Sequence, residues 1–209
     1  MDYRIKHVTT EQELDSALAF ARKIFADNSG LGNPDESRKE YLKNMEHNND
    51  LLLYAESDGE VVGIVFGSVG EGDDGRIKMV ADIVAVDERL RNRGVAREMM
   101  TLLEERGKTH GAHVIALGAA QTAEKFYAKL GYTGSLLIQS EKHSIDELLS
   151  LNTKYPVNYT RVHDGKINQI NLAITEADRE FQRKYETELP GCYTQMMFWK
   201  NIKQGDTQA

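Results

Sequence analysis

Residues 76–109 run without a break from one kind of sequence into another. RIKMVADIVAV, at 76–86, is apolar and β-branched, and DERLRNRG, at 87–94, is charged and ends on glycine. From there Val95, Met99, Leu102 and Leu103 make an apolar stripe at helical spacing. A strand that passes through a turn into a helix leaves the first helical N–H groups without intrahelical partners, with the helix dipole behind them. Gly94 and Ala96 are small at that point, where a bulkier group would hold an anion off the backbone. Arg91 and Arg93, on either side of Asn92, add positive charge, and Val95 begins the helix. The stretch Arg91–Ala96 therefore reads as an anion site suited to a pyrophosphate. A tight turn carrying two solvated arginines fits the same residues. No Gly-Lys-Ser/Thr follows, as a Walker loop requires, and the dinucleotide pattern Gly-x-Gly-x-x-Gly is missing.

The flanking sequence supplies the rest of a sheet. Residues 3–8 alternate as a strand does, and Thr10 with Glu13 forms a capping box ahead of Leu14, Leu18, Ala21 and Phe25, predicting a helix over 11–26. A loop at 28–34 leads to Pro34, which opens a second helix to about Asn48. Strands follow at 51–56 and 61–69, joined by the turn Ser57-Asp58-Gly59-Glu60. After the motif helix come a strand at 112–118, a helix at 121–130 stopped by Gly131, and a strand at 132–138. A meander followed by alternating helices and strands predicts an α/β (α+β) fold with a mixed, mainly antiparallel central sheet flanked by helices.

The expected domain boundary lies near 138, with residues 139–209 as a small α+β appendage. In it Ser144 and Glu147 cap a short helix, Asp164-Gly165 joins strands at 157–163 and 166–174, and a helix opened by Thr175 and Asp178 stops at Pro190-Gly191. Ile167, Ile170, Leu172 and Ile174 read as one apolar face. The consecutive run Met196 to Trp199 reads as a strand buried on both faces. Without a Pro- or Gly-rich linker, the appendage is expected to pack on residues 1–138 or in a subunit interface, as in a homodimer formed through the last strand.

Composition narrows the function classes. The 209 residues carry 26 Lys plus Arg against 33 Asp plus Glu, a net charge of −7. That balance points away from nucleic acid and mildly favours a cationic substrate. Cys192 is the single cysteine, so no intrachain disulfide forms. No apolar run has the length of a membrane span, and MDYRIKHVTTEQELD lacks a signal core, so a cytoplasmic location is expected. The six histidines lack close metal-ligand spacing, and no metal site is expected.

The spacing Arg91-x-x-Gly94-x-Ala96, between a strand ending at Val86 and a helix, resembles the pyrophosphate motif (Gln/Arg)-x-x-Gly-x-(Gly/Ala) of the GNAT superfamily of acyl-CoA-dependent N-acetyltransferases. About 30 residues on, AEKFYAKLGY at 123–132 is similar to that family's second signature, A-x-x-(apolar)-Y-x-K-x-G-(F/Y). The resemblance covers residues 1–138 in element order. It implies that acetyl-CoA is the co-substrate and that its pantetheine pairs with the backbone of Ile83, Val84, Ala85 and Val86. It also implies that the acceptor is a primary amine of a small molecule or peptide, attacking the thioester directly. Tyr127 stands where the family has the tyrosine that protonates the leaving thiolate, and filling a helix–sheet contact is its plainer role. The family often has Asn three residues before the second signature. Here that position is Ala120, which moves the expected cofactor contact to Gln121.

Such a reaction also needs a base for the incoming ammonium. Asp82 is the only carboxylate in the apolar stretch Met79–Val86, and a carboxylate on a central strand is often functional. A solvated side chain at the edge of a cleft fits as well, and Glu56 is a weaker candidate. His110 and His113 read as structural or solvated, and Cys192 as a buried thiol. The leading reading is an N-acetyltransferase. A non-catalytic acyl-CoA-binding or sensing protein is the alternative that Ala120 keeps open, and a partner-binding appendage is a third. Loops 27–34 and 70–75 and the appendage are expected to shape the acceptor pocket.

Overall fold

The computed structural model describes residues 2–25, 34–72 and 75–202. The loop expected at 28–34 lies almost wholly outside these residues, as do the centre of loop 70–75 and the last residues of the chain. The chain divides into two compact units, Met1–Ile115 with Asn201–Ala209, and Ala116–Lys200.

In the first unit, strands β1 (Arg4–His7), β2 (Leu52–Ser57), β3 (Glu60–Glu71) and β4 (Ile77–Val86) pair antiparallel in chain order. The β2–β3 turn puts Asp58 and Gly59 at φ 52° and 81°, the left-handed pair that matches the twist of a two-residue hairpin. Helix α1 (Glu11–Phe25) starts at the capping box: Glu13 N donates to Thr10 Oγ1 at 3.2 Å, and Thr10 N to Glu13 Oε2 at 3.0 Å. Its buried residues Leu14, Ala17, Leu18 and Ala21 fall one turn apart. They share a core with Ile64 and Phe66 of β3, Ile83 and Ala85 of β4, and Tyr41 of helix α2 (Pro34–Asn48). Helix α3 (Val95–Thr109) buries Val95, Met99, Met100 and Leu103. A Cβ on Gly67 of β3 would lie 3.0 Å from a Leu103 methyl, so glycine lets this helix approach the sheet closely.

Strand β5 (Val114–Gly118) carries the chain into the second unit. There β6 (Thr133–Ser140) lies between β8 (Ile167–Leu172) and β9 (Cys192–Asn201), and β7 (Val157–His163) is the edge beyond β8. One face of this sheet is apolar, with Leu136, Ile138, Ile170, Leu172, Met196 and Phe198 all buried. Helix α6 (Arg179–Glu188) reaches that face through Gln182 Nε2, which donates to Thr194 Oγ1 at 3.2 Å. Tyr185 Oη donates to Leu148 O of helix α5 (Ile145–Ser150) at 2.8 Å. The opposite face carries two rows of polar side chains. Arg161 donates to Gln169, which donates to Gln139; Asn158 donates to Asn171, which donates to Ser135.

Two expectations for residues 139–209 change. Met196 and Phe198 are buried, but Met197 is half-buried and Trp199 is 39% exposed, because alternate residues of β9 point to the polar face. Ile167 likewise falls on the opposite face from Ile170 and Leu172, as its register with Gln169 and Asn171 requires. The boundary expected near 138 falls inside β6, whose two edges are paired by strands from 139–209. Residue Ile202 belongs to the first unit, where its N–H donates to His113 O at 2.9 Å and its side chain is 2% exposed.

Candidate active site

The sequence candidates fall into two groups, one in each unit. In the first, β4 ends at Val86 and a charged turn leads to α3. Asp87 accepts from Arg89 N at 2.9 Å and from Arg89 Nη2 at 2.8 Å. That pairing holds its carboxyl down at about 2. Arg91 Nη1 lies 3.0 Å from Glu88 Oε1, an exposed pair that holds weakly. Arg93 is exposed and makes no ion pair among the described residues. Asn92 and Gly94 take left-handed φ values of 62° and 90°. The first bond across this helix start runs from Glu98 N to Gly94 O at 2.9 Å, so the N–H groups of Val95, Ala96 and Arg97 precede the intrahelical ladder. A Cβ on Gly94 would meet nothing within 4 Å, so the space over the turn is open. Orphan donors, a helix dipole, an open approach and an uncommitted arginine fit an anionic phosphate group.

Upstream of that turn, Ile83 and Ala85 are buried in the core and Val84 and Val86 are half-buried. A ligand running along this segment would therefore meet Ile83 and Ala85 through their backbone.

Asp82 owes its position to a register step between β3 and β4. Phe66 lies opposite Ile83 and Gly67 opposite Ala81, so Asp82 is the extra residue of a bulge. The bulge also switches faces. Ile83 and Ala85 belong to the core under α1 and α2, whereas Met79 lies against α3 at Gly107. Asp82 is exposed to solvent, and its charge reaches Tyr41 of α2. Ser68 Oγ donates to Asp82 Oδ1 at 3.2 Å. Crowding by protein pushes the carboxyl up to about 7; the Ser68 bond opposes the rise and the charge of Glu40 adds to it. That is the range of a group that exchanges protons near neutrality.

Glu56 stands apart from this group. Its Oε1 is 2.9 Å from Lys6 Nζ, and it lines a cavity of about 350 Å³ with Thr10, Glu13, Ser16 and Tyr54. His110 Nε2 lies 2.9 Å from the Asp50 carboxylate, a structural tie. Cys192 is half-buried rather than fully buried, and burial raises its thiol.

In the second unit, Gln121 opens a short 3₁₀ turn, Gln121–Ala123, with its side chain exposed and Ala120 before it. Helix α4 (Glu124–Lys129) follows. Tyr127 is 4% exposed, and its ring packs against Phe126, Tyr132 and Phe198 at centroid distances of 5.1, 5.9 and 5.8 Å. Its hydroxyl has no hydrogen-bond partner among the described residues, and no fully enclosed side-chain oxygen or nitrogen there lacks one. The hydroxyl therefore reaches accessible surface at the end of a buried ring. Burial raises its pKa, so the phenol stays protonated at any physiological pH.

Ser68 and Tyr41 were not singled out from sequence. Ser68 meets Asp82 through strand pairing, and Tyr41 comes within reach of its charge through the docking of α2, so neither has a local signature.

A mainly antiparallel sheet flanked by helices, with a left-handed glycine opening the helix after β4, is the frame that carries these residues. The profile described as the acetyltransferase (GNAT) family matches residues 18–132, more than half of the chain. The chain belongs to that family. Among solved structures it is similar to an N-acetyltransferase from Staphylococcus aureus Mu50, with 14% identity and a TM-score of 0.54 over 97% of this chain and 100% of the other. It is also similar to Naa50 of Arabidopsis thaliana in complex with the bisubstrate analogue CoA-Ac-MVNAL, with 12% identity and a TM-score of 0.51 over 82% and 98%. AAC(6')-Iy in complex with the bisubstrate analogue CoA-S-monomethyl-acetylneamine has 16% identity and a TM-score of 0.51 over 63% and 90%. At these identities the likeness is one of fold. No helix among the described residues is long and apolar enough to cross a membrane.

Proposed function

We propose that the protein transfers an acetyl group from acetyl-CoA to a primary amine of a small molecule or peptide, by direct attack. The observation that carries this reading is the start of α3, with its orphan N–H groups, left-handed Gly94 and open approach. Family membership and fold neighbours solved with CoA-containing analogues support the choice of anion. Acetyl-CoA would supply an activated thioester. The backbone at Val95–Arg97 and the side chain of Arg93 would hold its pyrophosphate, and Arg91 would join them once released from Glu88. The backbone of Ile83–Val86 would align the pantetheine, and Gln121 would add a side-chain contact.

Two proton tasks remain. Asp82, poised near 7, accepts a proton from the acceptor ammonium. Tyr127, protonated and with its hydroxyl at accessible surface, donates one to the departing thiolate. Both assignments are tested by thiol release from acetyl-CoA on a panel of amines. Wild-type protein should turn over at least one amine, and Tyr127→Phe should bind CoA equally well while turning over roughly 10²–10⁴ times more slowly. CoA binding with no turnover on any amine would favour a sensing role instead.

A further inference from the structure

The bulge that exposes Asp82 has a companion on α2. Tyr41 is 8% exposed, and its ring lies edge-on to Phe66 at 5.1 Å, the residue opposite Ile83 beside the bulge. Its hydroxyl end feels the charges of Asp82 and Glu40. Yet Tyr41 Oη has no hydrogen-bond partner among the described residues. No fully enclosed side-chain oxygen there lacks one, so this hydroxyl too reaches accessible space. A side chain nine-tenths buried ends in an unpartnered polar group within reach of a carboxylate's charge. If core filling were its whole role, phenylalanine would fill the same volume without the polar atom. Glu40, the residue before Tyr41 on α2, is exposed, and its negative charge reaches Asp82. Ser68 occupies one oxygen of Asp82 and leaves the other open.

We infer that Tyr41 and Asp82 together hold the ammonium of the acceptor, and that Glu40 beside them favours acceptors carrying a second amino group. An ammonium has three N–H donors, and the free Asp82 oxygen and Tyr41 Oη offer two acceptors for them. Glu40 is solvent-exposed, so its attraction for a second ammonium is modest and weakens with salt. The inference rests on the acetyltransferase reading above. It goes beyond that reading by naming the acceptor's binding residue and its class, a diamine or polyamine.

Tyr41→Phe is the informative variant. It keeps the ring against Phe66 and removes a hydroxyl with no internal partner, so the thermal midpoint should not move. With n-butylamine and 1,4-diaminobutane as probes, KM for either amine should rise about tenfold or more. KM for acetyl-CoA should be unchanged, and kcat should change much less than the amine KM. Glu40→Gln should lower the preference for diaminobutane over butylamine roughly two- to fivefold at low salt and less at high salt. Calorimetry of both amines with CoA present gives a second readout that does not need turnover. Binding of diaminobutane that weakens in Tyr41→Phe, without acetylation, would keep this subsite and sink the acetyltransferase reading. Acetylation with amine KM values unmoved by Tyr41→Phe would sink the subsite and keep the reading. If neither probe binds nor is acetylated, the subsite for small amines is wrong.

Discussion

Asp82 is held where an acid costs the fold something. Its carboxyl titrates at about 7 in the folded chain against an ordinary value of 3.8, because protein crowds it and Glu40 of α2 repels its charge. An acid whose folded pKa is raised binds its proton more tightly in the native state. The contribution of Asp82 to stability therefore falls as pH rises from about 4 to about 7, and does not change outside that window. Asp82→Asn removes the titration, so its thermal midpoint should match the wild type near pH 4 and exceed it at pH 7.5. Equal midpoints at both pH values would mean that the carboxyl is not perturbed. Activity should show the opposite preference. The base is the ionised form, so kcat/KM for the amine should rise with pH through about 7, and Asp82→Asn should lose both that limb and most of the rate. At the same scale, Tyr127→Phe keeps its ring among Phe126, Tyr132 and Phe198. Its loss of turnover should come without a loss of stability, which circular dichroism melting would check.

At the scale of elements, the start of α3 is the most exposed part of the reading to test. Gly94 has φ 90°, a conformation that a side chain resists, and open space above it. Gly94→Glu adds both strain and a negative charge at the dipole's positive end, so CoA affinity by calorimetry should fall by tenfold or more. Gly94→Ala adds the strain with little bulk and no charge, and should lose much less. Equal affinities in all three proteins would move the anion site elsewhere. This element was legible in sequence because its determinants are local: a small residue, a run of charges, and a stripe at helical spacing. The same holds for the capping boxes at Thr10 and Ser144 and the left-handed pair at Asp164-Gly165, all of which form as read. The bulge at Asp82 was not legible. Nothing in Met79–Val86 says which residue the partner strand will skip, because that depends on the register of β3. Tyr41 was invisible for a related reason: its neighbours Phe66 and Asp82 lie on other elements, brought near by packing.

At the scale of the whole chain, the segment after 138 was read as an appendage packed on residues 1–138 or in a subunit interface, and two of its strands pair with β6. β8 pairs one edge of β6 and β9 the other, with Ser140 directly opposite Cys192. Sequence order hides this, since nothing local in CYTQMMFW tells which strand it will join. The pairing makes two deletions differ sharply. A chain ending at Ser140 strips both edges of β6 and uncovers Leu136 and Ile138. It also removes Ile202, whose side chain would touch a Cβ at Gly107 at 3.0 Å, from the first unit's core. That chain should aggregate. Removing only residues 141–191 and joining Ser140 to Cys192 through a short Gly-Asn turn keeps β6, β9 and Ile202, closing an antiparallel pair already in register. It loses the cover of Leu148, Phe181 and Tyr185 over the apolar face, so its thermal midpoint should fall. The start of α3 lies outside the excised segment, and the shortened protein should still bind CoA within a few-fold of wild type by calorimetry. A soluble, monomeric 1–140 chain, or an internal deletion as insoluble as that truncation, would show that β9 does not close the sheet as its register with β6 requires.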